Sequence, residues 1–273
     1  MGTNLSKVID DFERSGKLNV RAPDLRAALP GVTDEGLRKA ILRQQRLGRL
    51  AGISRGSSHW LIVPLQNAAM GAPPLESWLH QYLNKTLMTP YYVAMLSAAE
   101  LYGVSPYAIM VTQVMVPERR RAVAVGRHRV EFQTRSRLDE MPTGWHETSD
   151  GRFKVSTPEL TVLDIIQHES MLGGIPRVRE VLHGMWMHCS KDAVAKTLDA
   201  VNNVSLAQRL GALMEMDGQD ELSLPVERWL KKRPLQIVPL TGGRQTVDNK
   251  SVSQFVDHRF KVRIAANIGN ANA

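Results

Sequence analysis

A chain of 273 residues with 43% hydrophobic content is long enough for one large or two medium domains with buried cores. Its formal net charge of +8 favours an anionic partner, either nucleic acid or an acidic membrane surface. No apolar run approaches the roughly 18 residues needed to span a bilayer, and a single cysteine, Cys189, excludes an intramolecular disulfide framework and suits a reducing cytoplasm. The opening stretch M-G-T-N-L-S-K-V-I-D-D-F carries two acids and no apolar h-region, so no secretory signal is expected. Gly2 and Ser6 match the short myristoylation pattern, but the acids that follow would be repelled by anionic lipid.

The positive charge is unevenly spread. Residues 1–70 hold 11 Lys and Arg against 6 Asp and Glu, whereas residues 71–273 hold 24 against 21. No acid occurs between Glu35 and Glu76, while Arg38, Lys39, Arg43, Arg46, Arg49 and Arg55 all fall in that interval. Hydrophobic spacing predicts what carries this charge. Leu5, Val8, Ile9 and Phe12 form the apolar stripe of a first helix, and Asp24–Leu29 a short second one closed by Pro30-Gly31. Thr33 can cap a third helix, with Leu37, Ala40, Ile41 and Leu47 inward and Arg38, Lys39, Arg43, Gln45 and Arg46 outward. Gly48 ends it. Two strand-like runs, Arg49–Ser54 and His59–Pro64, follow around Arg55-Gly56-Ser57-Ser58.

Three helices followed by a hairpin is the order of a winged helix-turn-helix, whose third helix enters the major groove while the hairpin touches phosphate. The competing reading is an ordinary solvated helix face. A surface helix built for stability would pair Glu with Lys or Arg at i,i+4, and no such pairing is expected here. DNA binding is therefore the stronger expectation.

Ala68–Pro74 is small, uncharged and punctuated by Gly and Pro, so a boundary is expected there, between a domain at 1–70 and a second at 75–273. Leu75–Lys85 reads as a helix on a stripe of Leu75, Trp78, Leu79 and Tyr82. Pro90 opens another through Y-Y-V-A-M-L-S-A-A-E-L-Y, ended by Gly103. Ile109–Val116, Arg121–Val125 and Arg129–Thr134 read as strands. Around them Arg119, Arg120, Arg121, Arg127, Arg129, Arg135 and Arg137 are either a second phosphate-binding edge or charges that keep an exposed sheet soluble.

After a strand at Arg152–Val155, Ser156 and Glu159 form a capping-box pattern with Pro158 in the first turn. Leu160, Val162, Leu163, Ile165 and Ile166 then make a helix too apolar for a wet face, around which the larger domain should be organised. Helical spacing recurs at Val178–Met187, Lys191–Val201 and Leu206–Met216, with a short helical turn at Pro225–Leu230 and a strand at His258–Ile264. The final A-N-I-G-N-A-N-A is expected to be loose. The fold class is α+β: a winged helix-turn-helix, then a larger mixed α/β domain with a small sheet and a helical C-terminal part.

Enzyme signatures are missing. There is no P-loop, no G-x-G-x-x-G after a strand and no G-x-S-x-G elbow. His183 and His188 are five apart and off one helical face, and with Cys189 the only thiol no metal site is expected. Asp164 reads as a satisfied core acid rather than a catalytic base. No cofactor and no catalytic residue is assigned. Two other classes stay open: a nucleic-acid-processing enzyme, and a repressor that senses a small ligand.

Four stretches in order carry a resemblance: L-R-K-A-I-L-R-Q-Q-R-L-G-R-L, Y-Y-V-A-M-L-S-A-A-E-L-Y-G, G-R-F-K-V-S-T-P-E-L-T-V-L-D-I-I and A-Q-R-L-G-A-L-M-E. Together they resemble the AbiEi family of antitoxins from about Leu5 to Ile264, most specifically at Ser156–Asp164 and Gln208–Gly211. The resemblance implies a cytoplasmic type IV toxin–antitoxin system. In it the winged helix represses the antitoxin's own operon through double-stranded operator DNA, expected as inverted repeats. The C-terminal domain counteracts a nucleotidyltransferase-like toxin, and a tight complex of the two is not required. Carried over, the DNA-contacting positions are Thr33, Arg38, Lys39, Arg43 and Arg46, with Arg49 beside them and Arg55 in the Ser-rich wing.

Overall fold

In the computed structural model, which describes residues 4–53, 58–104, 109–242 and 254–265, the chain opens with helix α1 (Leu5–Arg14). Asn4 caps it by accepting from the Lys7 N–H. Strand β1 (Asn19–Arg21) leads into α2 (Ala22–Ala28), where the Asp24 carboxylate accepts from the Arg21 N–H and Pro23 occupies the first turn. Burial pushes the Asp24 carboxyl up, but the bonds from Lys17 and the Arg21 N–H outweigh this and leave it below the usual range. Helix α3 (Asp34–Arg46) follows Thr33, and Gly48, at φ +71°, turns the chain into β2 (Leu50–Gly52). β3 (His59–Ile62) lies between its neighbours in an antiparallel sheet of order β1-β3-β2, with Val20 opposite Trp60 and Ala51 opposite Leu61.

Leu5, Val8, Ile9, Val20, Leu25, Leu29, Leu37, Ile41, Leu50 and Ile62 form the core of this part. At roughly 1.5–3 kcal/mol per large aliphatic side chain, such a cluster is the main force holding short helices that would not be stable alone. Two details differ from expectation. No element was expected at Asn19–Arg21, where β1 forms, and Leu47 is exposed while Gln44 takes a buried place on the inner face of α3.

A 3-10 turn spans Leu65–Met70, and Gly71 and Gly126 approach so closely that a Cβ on Gly126 would lie 2.4 Å from the Met70 carbonyl oxygen. The Arg127 N–H donates to that carbonyl. The stretch expected as a linker is thus packed backbone. The helix expected over Leu75–Lys85 is irregular, a 3-10 turn at Leu75–Ser77 and a π-type turn at Gln81–Thr86, with Trp78, Leu79, Tyr82 and Leu83 buried. Tyr92–Val93, expected as helix, is instead strand β4, and α4 (Met95–Leu101) begins after it. Then come β5 (Thr112–Val116), β6 (Val123–Val125), β7 (His128–Thr134), β8 (Thr143–Thr148) and β9 (Gly151–Ser156). Strands β4 to β9 make one sheet of order β6-β7-β5-β4-β9-β8.

The chain divides into two compact units: residues 1–92, 110–138 and 145–154 in the first, and 93–109, 139–144 and 155–273 in the second. The expected split at residues 70–75 falls inside the first. The second unit is built on α5 (Pro158–Gln167), in which every residue from Glu159 to Ile166 is buried. Around α5 pack α4, α6 (Gly174–Met185), α7 (Lys191–Val201) and α8 (Val204–Met216). α9 (Asp220–Lys231) is longer than expected and carries Pro225 inside it. β10 (Val238–Pro239), β11 (Gln254–Asp257) and β12 (Val262–Ala265) close the unit as a small sheet of order β10-β12-β11. The strand expected over His258–Ile264 is therefore a turn followed by β12. The architecture is α+β, as read from the sequence.

Candidate nucleic-acid interface

Helix α3 is held by its apolar face and offers the other to solvent. Thr33 caps it, its hydroxyl accepting from the Gly36 N–H at 3.1 Å, while Leu37 and Ile41 are buried. Arg38, Lys39, Leu42, Arg43 and Arg46 are exposed, and their spacing places them along one stripe of the helix. Leu42, which the sequence reading left unassigned, is 41% exposed among these cations. An apolar side chain there suits contact with a thymine methyl group.

The charges on this stripe are not all equal. Glu35 accepts from Arg38 Nε and Nη2 at 2.8 and 2.7 Å and lies 3.5 Å from Lys39 Nζ. The expectation that α3 would lack Glu–Lys or Glu–Arg pairs is therefore corrected: its first turn supplies the acid. The Arg38 hydrogen bond holds the Glu35 carboxyl below its usual range, and the same contact raises the Arg38 guanidinium. All three side chains are well exposed, and such pairs contribute only about 0–1 kcal/mol, so a phosphate can displace Glu35. Arg43 and Arg46 have no ion-pair partner among the described residues.

Arg49 is committed elsewhere. Its Nη2 sits 2.9 Å from Asp10 Oδ1 and 2.8 Å from Glu13 Oε2, with the side chain only 20% exposed. A phosphate would have to compete with two carboxylates of α1. Arg55 lies outside the described residues. Of the second basic group, Arg119, Arg121 and Arg127 are exposed, Arg129 pairs with Glu131 at 2.9 Å, and Arg120 donates to the Thr89 hydroxyl.

The motifs of the second unit have structural explanations. Thr157, not Ser156, is the N-cap of α5, accepting from the Leu160 N–H. Ser156 is fully buried, its hydroxyl bonded to Thr161 Oγ1 at 2.6 Å and donating to the Val93 carbonyl. Glu159 Oε1 accepts from the Ser190 N–H at 2.9 Å and so fixes the start of α7. In α8, Gln208 Nε2 donates to the carbonyls of Gln236 and Phe260, both at 2.8 Å. A Cβ at Gly211 would fall 2.3 Å from the Phe260 ring.

Residues 92–216 match the family model described as AbiEi antitoxin C-terminal domain. This stretch is therefore similar to the C-terminal domain of AbiEi antitoxins. The crystal structure of the RV2827C protein from Mycobacterium tuberculosis superposes with a TM-score of 0.64, covering 95% of this chain and 90% of that one at 16% identity, so the fold is shared. No curated protein matches the sequence. The AbiEi match runs from β4 to the end of α8 and leaves α1–α3 outside it.

Within residues 92–216, the buried groups singled out by the sequence build the fold. Cys189 donates to the Met185 carbonyl, and burial, reinforced by Glu159, pushes its thiol up to about 12. Among the described residues, no group of three or more His, Cys, Asp and Glu is placed to hold a metal ion. No helix among them is long and apolar enough to cross a membrane. AbiEi is a family of antitoxins, not of enzymes.

Proposed function

We propose that the protein is a DNA-binding antitoxin of a type IV toxin–antitoxin system that represses its own operon and counteracts a nucleotidyltransferase-like toxin. Residues 1–70 act as a winged helix-turn-helix, with α3 as recognition helix, and residues 75–273 carry the antitoxin activity in the cytoplasm. The observation that carries the DNA-binding half is the outward stripe of α3: Arg38, Lys39, Arg43 and Arg46 exposed together on a helix whose other face is locked into a core. The order helix, strand, helix, helix, hairpin, with its β1-β3-β2 sheet, supports this reading. Thr33 at the helix start, and Arg55 in the wing, complete the proposed contacts. Arg49 serves as a clamp on α1 instead. The antitoxin half rests on the AbiEi match.

Anisotropy titration of the full-length protein against duplex DNA from its own promoter tests the proposal. Across a salt series, each phosphate contact removed should lower the salt slope by about one. Arg43→Ala with Arg46→Ala should reduce both affinity and slope. Unchanged values for the pair, with Arg38→Ala and Lys39→Ala added, would remove α3 from the interface.

A further inference from the structure

A second exposed cluster lies on the β8–β9 hairpin. β8 is the edge strand of its sheet. Trp145 on β8 is 43% exposed, a large aromatic left in water. The Arg152 guanidinium lies 4.6 Å from its ring centroid and Lys154 Nζ 5.9 Å away, both from β9. Strand alternation puts Arg152 and Lys154 on one face of β9. The ring of His80 meets Trp145 edge-on, with centroids 4.9 Å apart. Glu147 is the acid of this face, 3.2 Å from Arg152 in an exposed pair.

The cluster is assembled from two stretches that the backbone forces together. Gly151 begins β9 so close to the 76–77 backbone that a Cβ would lie 2.5 Å from the Glu76 carbonyl oxygen. That approach sets the irregular 75–86 segment, with His80, against the hairpin. Tyr91 locks it further: its hydroxyl bonds His80 Nδ1 at 3.1 Å and accepts from the Lys154 N–H at 3.3 Å. The local field is positive. His80 is held below its usual pKa, first by burial and then by Lys85, Arg152 and Lys154.

We propose that Trp145, Arg152 and Lys154 form a binding surface for single-stranded nucleic acid, with an unpaired base stacking on the Trp145–Arg152 pair and the neighbouring phosphate meeting Lys154. An aromatic ring and a guanidinium plane give a base a flat apolar seat, and an adjacent ammonium group neutralises its backbone. Duplex DNA, whose bases are stacked inside, cannot use that seat. The site is separate from the duplex contact proposed for α3 and does not depend on it.

The test is anisotropy of the full-length protein with labelled 12-nucleotide homopolymers, one of RNA and one of DNA, beside a promoter duplex. Binding of one or both single strands is expected, and the two arms show whether ribose or deoxyribose is preferred. Trp145→Ala should weaken single-strand binding by about 10-fold or more, and Arg152→Ala should also weaken it. Trp145→Phe should retain most of it, and duplex affinity should not change. Melting curves confirm that each variant is folded, and Trp145→Phe remains informative if Trp145→Ala is not. The proposal is overturned if wild type binds neither single strand at micromolar concentration. It is equally overturned if the folded variants bind as wild type, or if they lose toxin association while keeping single-strand binding.

Discussion

The ring of Phe260 lies directly on the backbone of Gly211, occupying the place a Cβ would need: Cδ1 and Cε1 would each be 2.3 Å from it. Both residues are buried, Phe260 completely. Gly211→Ala would ordinarily favour a helix by about 1 kcal/mol. Here it forces the ring or α8 to move, and overpacking of this kind costs ~1–3 kcal/mol. Urea unfolding should show a net loss of stability, with Phe260→Leu partly restoring it in the double variant. A neutral or stabilising Gly211→Ala would show that the ring yields freely.

That contact also explains what could and could not be read from the sequence. Gln208 and Gly211 stood out only through resemblance, because their partners, Gln236 and Phe260, lie 28 and 49 positions away. α3 and α7 were legible because one apolar stripe decides a short helix, and the all-buried α5 because so many aliphatics leave no wet face. β1 was not: three residues become a strand only because β3 pairs with them. Tyr92–Val93 read as helix because it runs into one, but β9 alongside draws it into a strand, with Val93 opposite Val155. Ser156 and Thr157 are both capping residues, and burial of the first leaves the second as cap. Pro225 read as the start of a short helical turn, yet its buried ring sits inside α9, where packing offsets the lost hydrogen bond. On the candidate site, the exposure of Arg38, Lys39, Arg43 and Arg46 followed from periodicity. The grip of Glu35 on two of them, and of α1 on Arg49, needed side-chain geometry.

Glu35 should restrain DNA binding. It neutralises Arg38 and Lys39 in the free protein and would face phosphate in a complex. Glu35→Gln is therefore expected to tighten promoter binding severalfold and to steepen its salt dependence, because two cations are released for phosphate. Weaker binding with an intact fold would mean that Glu35 itself makes a productive contact.

Arg49 should behave in the opposite way. Its two carboxylate contacts join β2's start to α1, and replacing it with Met should cost about 1–2 kcal/mol in thermal or urea unfolding. The salt slope for promoter DNA should stay as in wild type. A reduced slope without destabilisation would return Arg49 to the DNA-contacting set.

Cys189 should be chemically quiet. With its thiol pushed up to about 12 by burial and Glu159, almost none is thiolate at pH 8. Iodoacetamide at pH 8 should leave the native protein unmodified over hours and label it promptly in denaturant, as mass spectrometry would show. Rapid native labelling would contradict the packing around Glu159 and Met185.

The most direct trial expresses the full-length protein from an unrelated promoter beside the nucleotidyltransferase-like toxin proposed as its partner and counts surviving cells, for wild type and for the variant with Arg38, Lys39, Arg43 and Arg46 all replaced by Ala. A reporter fused to the native promoter is read in parallel. The expected result is full protection by both proteins, with repression by wild type alone. Absence of protection by wild type, or its loss in the folded quadruple variant, would contradict an antitoxin whose protective activity is separate from α3.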